Sequence, residues 1–475
     1  MAQVRWLVRS PPDGGPVVAR QSSSPRHFAM APAGGYSGPC SARGASSCGP
    51  RHRQSLTRSC SRGRPMSNPQ GHAASRSYGS LGKGGSRGAP RLSAPPTVLA
   101  AACAPTLDAE GEREFGGRFL PDYTKRRLLG RGACGAVWLA TSERHSGLVA
   151  VKQVAKGNGA KNRSDERSAN TEIAVGELFF SPGGNPKLCA DTYPGIKHIV
   201  KLLDVAESRR DLWLVMEFGG GALSKALFDI KGEFVARGAA QPRERVYRVH
   251  HLPFYQAMKR DPRVLKRLLR QLLEALRVLS DHEIVHSDLK PENILVEALE
   301  GQGLRCEARL CDFGSAFSFD RPEQLALATP EYMPPEALEM CVAHSRGFIS
   351  SEAGLHYGTQ SRPWSYDIWS LGAILLEICF GAPHWLSYKC RVRHIDGVRD
   401  HSLMGLFAVP ARDPERILQR QQEVASPGGL RRALRDAPGT QLDEDGVDLL
   451  QRFLEWDPMA RISPNEALRH PYLWT

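Results

Sequence analysis

From Tyr123 onward the chain breaks into short apolar or alternating pieces, RRLLG, AVWLAT and GLVAVKQV, separated by glycines and polar turns. Pieces of this length and period predict β-strands. TEIAVGELFF reads as a helix, and IVKLLDV and DLWLVMEF return to strand. After Gly219-Gly220-Gly221 the pattern turns mostly helical. Between Val264 and Leu279, apolar side chains stand at 264, 265, 268, 269, 272, 273, 276 and 279, one stripe of a helical repeat. A strand-rich part followed by a helical part predicts an α+β chain with two lobes and a cleft between them. IVHSDLKPENILV (284–296) sets Asp288, Lys290 and Asn293 between two apolar runs. It reads as a hairpin turn that presents those side chains to the cleft.

Residues 1 to about 115 show no sustained period and are rich in Arg, Ser, Gly, Pro and Ala. Such a segment cannot bury enough apolar surface to offset chain entropy, so it is expected to be disordered. Its Arg- and Ser-rich, nearly acid-free composition also fits an organelle transit peptide, with VLAAACAP (98–105) near a processing point. Both readings stay open. The protein is expected to be intracellular: in a chloroplast or mitochondrion if the tail is a transit peptide, otherwise in cytoplasm or nucleus.

Charge sharpens this division. The 475-residue chain has a net charge of +13, but residues 1–107 hold 14 basic residues against one acid, Asp13. The remainder is neutral, so nucleic-acid binding by the folded part loses its main support. Eleven cysteines without a CxxC pair indicate neither a zinc site nor a disulfide framework. No apolar run reaches the roughly 18 residues of a membrane span. IWSLGAILLEICF (368–380) is interrupted by Ser370 and Glu377 and suits a buried core helix.

The chemistry-bearing residues come in a definite order. Gly130, Gly132 and Gly135 form G-x-G-x-x-G in LGRGACGAV, with Arg131, Ala133 and Cys134 between them and Val137 two further on. Glycines let backbone N–H groups approach phosphates. A strand-like AVWLA follows rather than a helix, which favours a flap over nucleotide phosphates. Lys152 closes the apolar strand VAVK, and an acid on the next helix, Glu172 or Glu177, can hold its ammonium. Glu172 is preferred because it precedes the apolar face. Asp288 can accept a hydroxyl proton, Lys290 can steady a moving phosphate, and Asn293 with Asp312 of CDFG offers hard oxygen ligands for magnesium.

Together these pieces resemble a eukaryotic protein kinase. GRGACGAV resembles its Gly-rich loop, VAVK its lysine strand, HSDLKPEN its catalytic loop and CDFG its metal-binding motif. ATPEYMPPE is similar to the end of the activation segment, SYDIWSLGAILLE to the central buried helix, and DPMARISPNEALRHPYL to the closing subdomain. The resemblance spans roughly 120 to 475, with the smaller lobe to about 218, and implies a bilobal fold with a β-rich N-lobe and a helical C-lobe. It implies ATP and Mg2+ as cofactors, a protein Ser/Thr acceptor as partner, and a monomer. It further implies that Asp367 braces the catalytic-loop backbone, that Arg461 pairs with Glu336, and that Thr329 is the substrate-loop threonine. Met216 would be the gatekeeper, Glu217 and Phe218 the hinge, and Val137, Ala150 and Leu295 the walls around the purine.

The departures are Ser287, where the family usually has arginine, and insertions near 156–170, 229–262 and 341–363. The last two flank the expected substrate side, as docking elements or as unstructured decoration. Cys134 and Cys311 would border the nucleotide, chiefly as small apolar fillers, and His286 reads as a packed structural histidine. The rival to an active enzyme is a pseudokinase scaffold. Loss of Lys152, Asp288 or Asp312 would be its usual mark, and all three are present.

Overall fold

Alternation along the first strands fixes the faces of a sheet. The computed structural model describes residues 120–132, 135–145, 147–180, 193–235, 244–299, 305–321, 328–345, 357–384, 390–393, 405–408, 413–435, 437 and 439–474. The tail, Ala133 and Cys134 lie outside them. Strands β1 (Tyr123–Gly132), β2 (Gly135–Ser142), β3 (Gly147–Ala155), β4 (Leu202–Glu207) and β5 (Asp211–Glu217) form one antiparallel sheet in the order β1-β2-β3-β5-β4. Val149 and Val151 point to one face and pack with Leu120, Tyr123, Ala140, Trp213 and Val215. Val154, on the other face with Ala150 and Lys152, packs with Ala169, Leu212 and Leu214.

That second face is covered by α1 (Ala160–Phe180), which buries Ala169, Glu172, Val175 and Phe179. Most of the segment read as an insertion before Glu172 is therefore the first half of this helix. Lys161 and Asp165 pair one turn apart at 2.8 Å, and Ala169 is completely buried, so this half is held by its own contacts.

The long helical stripe becomes α4 (Pro262–Asp281), started by Pro262 and by the Asp261 carboxylate, which accepts from the Arg263 N–H. Its whole apolar face is buried. Two further helices complete the centre of the lobe: α5 (Pro335–Ser345) and α6 (Ser365–Phe380). Every residue of α6 from Ser365 to Cys379 is buried, and Gly381, at φ +67°, ends it. Beyond it lie α7 (Pro414–Ala425), α8 (Gly429–Arg435), α9 (Glu444–Phe453) and α10 (Pro464–Leu468). No helix among the described residues is long and apolar enough to cross a membrane.

Two expectations need correction. The part after the three glycines is mostly helical, but the described residues of 229–262, for which unstructured decoration was one expectation, are folded. After β6 (Gly221–Ala222) and α2 (Leu223–Leu227), the supposed insertion folds as a hairpin, β7 (Phe228–Val235) with β8 (Glu244–His251), followed by α3 (Pro253–Arg260). Its alternating stretch FDIKGEFV is strand-like, and the Phe228, His251 and Tyr255 rings pack against one another at tilted angles at its base. Part of the third insertion is also ordered: its start continues α5, whereas 346–356 lie outside the described residues.

Nor do the two apolar runs around Asp288 pair with each other. Ile284–Val285 (β9) pairs with Phe317–Ser318 (β12), while Ile294–Leu299 (β10) pairs with Arg305–Leu310 (β11) and with β6. The polar loop thus bridges two separate ribbons.

One buried acid stands out in α6. Glu377 is 2% exposed and accepts from the Tyr332 hydroxyl at 2.8 Å and the His384 N–H at 3.1 Å. Burial raises its carboxyl from the usual 4.5 to about 8. Because the folded pKa exceeds the unfolded one, the stability this group contributes is complete below pH 4.5 and is lost as pH rises through 8. Glu377→Gln keeps an acceptor but cannot ionise. Its stability relative to wild type is expected to grow between pH 5 and 8, by up to about 1.4 kcal/mol per pH unit, and then level off. Urea unfolding of both proteins across that range checks this; parallel curves would refute it.

Candidate active site

Lys152 lies near the end of β3, at a position whose cross-strand neighbours are Val137 and Leu214. Opposite residues in a sheet share a face, so Val137, Ala150, Lys152 and Met216 (paired with Ala150) line the same side. The Lys152 ammonium bonds Glu172 Oε2 at 2.6 Å and Asp312 Oδ1 at 2.7 Å. Glu177 is exposed, so only Glu172 meets the lysine. Burial works against the Lys152 charge, but Glu172 and Asp312 more than offset it and hold its pKa above the usual value. For Asp312 burial is likewise outweighed, chiefly by Lys152, and its carboxyl sits below the usual range. Burial pushes Glu172 the other way, upward, against the pull of Lys152.

The glycines of the β1–β2 turn meet different constraints. A Cβ at Gly130 or Gly132 would touch nothing within 4 Å, leaving open space beside the backbone. Gly135, at φ +143°, has no such freedom, since a Cβ there would come 2.1 Å from the Gln153 carbonyl oxygen. Arg131 is exposed and pairs in register with Ala136.

On the opposite wall, the loop after β9 is held by α6. Asp367 accepts the N–H of His286 through Oδ2 at 2.8 Å and that of Ser287 through Oδ1 at 3.0 Å. All three residues are buried. Burial pushes the Asp367 carboxyl up, against the pull of the His286 ring and these two N–H groups. Ser287 adopts the left-handed conformation, φ +61°, which turns the chain sharply, and its hydroxyl donates to the Ser315 carbonyl at 2.7 Å. His286 Nε2 lies 3.1 Å from the Cys311 carbonyl and its ring packs on Phe313, a structural setting.

Past that turn, three polar side chains close around one carboxylate. Asp288 Oδ2 accepts from Lys290 at 2.6 Å and from Asn293 Nδ2 at 3.2 Å. Asp288 Oδ1 accepts from the Thr329 hydroxyl at 2.8 Å, and that hydroxyl in turn accepts from Lys290 at 2.9 Å. The Asn293 amide also donates to the Asp288 carbonyl at 2.9 Å. Its nitrogen is thus committed to Asp288, and its oxygen is the atom left for a cation. Asp312, φ +62°, follows β11 and has a side chain 44% exposed. Hard amide and carboxylate oxygens suit Mg2+, so this donor set fits the ion.

Met216 and Glu217, two of the three residues expected at the gatekeeper and hinge, end β5, and Phe218 follows. Leu295 of β10 is close enough that a Cβ at Gly219 would meet it at 3.1 Å. Behind Met216 a small cavity is bordered by Glu172, Ile199, Cys311 and Phe313. Burial raises the Cys311 thiol, so it is not poised as a thiolate. Arg461, fully buried, grips Glu336 with two nitrogens at 2.9 and 3.2 Å.

Two links were not foreseen from sequence. Thr329 ties Asp288 to Lys290, and Glu217 is held from the side by Lys201 and Arg309. Neither the Lys201 backbone N–H nor the isolated Arg309 shows its partner in the sequence.

The protein kinase domain family matches residues 123–473. The chain belongs to the protein kinase family. Three relatives are each about a quarter identical to this chain over the residues that align. A probable inactive protein kinase of Arabidopsis thaliana is 25% identical over 58% of this chain and 84% of its own length. The serine/threonine-protein kinase ATG1c of the same plant is 25% identical over 76% of this chain, but only 36% of its own length is spanned. The mitogen-activated protein kinase spm1 of Cytospora mali is 27% identical over 74% of this chain and 70% of its own.

The Asp367 brace makes a direct prediction. Asp367→Ala leaves two buried N–H groups without an acceptor, each worth about 1–3 kcal/mol. The variant is expected to unfold about 2–5 kcal/mol more easily in urea. A change within about 0.5 kcal/mol, the range of ordinary surface substitutions, would show that the loop holds itself.

Proposed function

We propose that the chain is an active serine/threonine protein kinase, its catalytic domain occupying residues 120–475, that transfers the γ-phosphoryl of ATP to a protein Ser or Thr hydroxyl. The observation that carries this is the closed set Asp288, Lys290, Asn293 and Thr329, facing the Lys152–Glu172–Asp312 cluster. Lys152, fixed by Glu172, pairs with the α- and β-phosphates. The open backbone at Gly130 and Gly132 gives the phosphates room beneath the turn. The adenine lies between Val137 and Ala150 above and Leu295 below, its edge on the Glu217–Phe218 backbone.

Asn293 and Asp312 hold Mg2+, which when bound neutralises phosphate charge. Asp288 orients the acceptor hydroxyl and takes its proton as that oxygen bonds to phosphorus and the bond to the β-phosphate bridging oxygen breaks. Lys290, now bonded to both Asp288 and Thr329, steadies the charge on the moving phosphoryl group.

A second reading is supported by the relative named as a probable inactive kinase. Under it the domain binds nucleotide or protein partners without turnover. The deciding measurement is phosphate transfer from labelled Mg-ATP to a degenerate Ser/Thr peptide library, using the full chain and Asp288→Asn. An active enzyme is expected to lose at least about a hundredfold in kcat in the variant, the scale of a lost general base. Tight Mg-ATP binding with no transfer would favour the scaffold.

Ser287 generates a separate expectation. It is buried and uncharged, and it tethers the start of the activation segment through the Ser315 carbonyl, a bond that needs no phosphate. Phosphatase treatment is therefore expected to leave activity intact. Loss of activity together with removal of a phosphate mapped to Ser315 or Ser318 would contradict this.

A further inference from the structure

Arg309 lies where the hinge leaves the N-lobe. It sits on β11, directly across from Leu295 of β10. Its side chain is only 16% exposed and is surrounded by three carboxylates. Its Nη2 is 2.8 Å from Glu307, Nη1 is 3.5 Å from Glu297, and Nε is 3.7 Å from Glu217 Oε1. Glu297 and Glu307 are themselves a directly opposed pair across β10 and β11. Like charges in that register repel, and Arg309 is the cation that lies among all three acids.

The third acid belongs to the hinge. Glu217 is bound to Lys201 in both directions: its side chain accepts the Lys201 N–H at 2.9 Å, and its own N–H donates to the Lys201 carbonyl at 3.0 Å. The chain that follows is pressed onto the same ribbon. A Cβ at Gly219 would meet Arg309 Cδ at 3.4 Å, so the arginine stem runs beside the hinge backbone. Gly220, at φ +96°, approaches the Val296 carbonyl so closely that a Cβ would come within 2.3 Å of it. Gly221 and Ala222 then join β10 in register.

We infer that Arg309 is a positioning residue for nucleotide binding: through Glu217 and the backbone at Gly219 it fixes the hinge on the β10–β11 ribbon, and so sets the placement of the adenine-contacting backbone. Its removal acts twice. The stem no longer supports Gly219, and the Glu217 carboxylate loses the guanidinium that lies 3.7 Å from its Oε1. The effect falls on the hinge, because the other two acids lie on β10 and β11, which are held together by their own ladder. The consequence for nucleotide rests on the kinase reading above; the consequence for the hinge does not.

The test compares Arg309→Ala, Arg309→Lys and the double variant Arg309→Ala/Glu307→Gln in the full chain. The first readout is amide hydrogen exchange without nucleotide. In Arg309→Ala, exchange at Glu217 and its neighbours is expected to rise at least about tenfold while α4 is unchanged, as for a local opening. Lysine, which keeps one ion pair, and the double variant, which relieves the repulsion, are expected to restore part of the protection. The second readout is kinetic: the KM for ATP should rise about three- to tenfold, with a smaller change in kcat. Unchanged exchange at the hinge would overturn the inference. So would a uniform rise in exchange across both lobes with no recovery in either rescue variant, since that marks a general loss of stability. A rise in hinge exchange with an unchanged KM would overturn the link to nucleotide. If the wild type transfers no phosphate, the kinase reading fails, and hinge exchange still decides the role of Arg309.

Discussion

A buried carboxylate that takes two backbone N–H groups organises much of this molecule. Asp367 lies in α6, a helix buried along its whole length, so its position is set by packing rather than by solvent. By fixing His286 and Ser287 it forces the chain through a left-handed turn. That turn separates β9 from the polar loop and sends Asp288 toward Lys290, Asn293 and Thr329. A charge buried this way is expensive unless satisfied, and here each oxygen has a backbone donor. The geometry of the loop is therefore inherited from the core of the C-lobe.

The N-lobe half obeys a similar rule with opposite charge. Lys152 is taken out of water by β3 and α1, and it remains an ammonium because two carboxylates from different parts of the chain converge on it. Glu172 reaches it from the helix that covers the sheet and Asp312 from the strand end of the other lobe. The pair of contacts couples the placement of α1 to that of the CDFG segment. A displacement of either would leave a buried charge short of a partner, which confines the closed arrangement to a narrow set of positions.

Much of this was legible in the sequence because local chemistry and local structure agreed. Glycine spacing, the apolar strand ending in Lys152 and the stripe of α4 each point to one element, and the family resemblance orders them. The choice of Glu172 over Glu177 followed from where the apolar face of the helix begins. Other features were hidden for a physical reason: they depend on which strands pair. The runs around Asp288 are adjacent and apolar, as in a hairpin, yet each finds a partner elsewhere. The stretch 229–262 left a docking element and unstructured decoration both open, because its polar composition masks an alternating pattern with Phe228 and His251 at its base. Arg309 was silent because two of its three acids, Glu217 and Glu297, lie on other strands and become its neighbours only in the fold.

The base of the β7–β8 hairpin has a consequence for how this chain can vary. The Leu252 N–H donates to the Leu227 carbonyl at 3.0 Å, so the excursion leaves and re-enters the lobe across a single hydrogen bond. His251 then bonds the Gly381 carbonyl at 2.8 Å, and Tyr255 bonds that of Ile378 at 2.6 Å, which pins the re-entry point to the end of α6. Closing a loop costs little more when the loop lengthens, once its ends are fixed. The two anchored ends therefore hold the excursion to the lobe, and a change of length beyond them costs little closure entropy as long as Val249, buried on β8, keeps its packing.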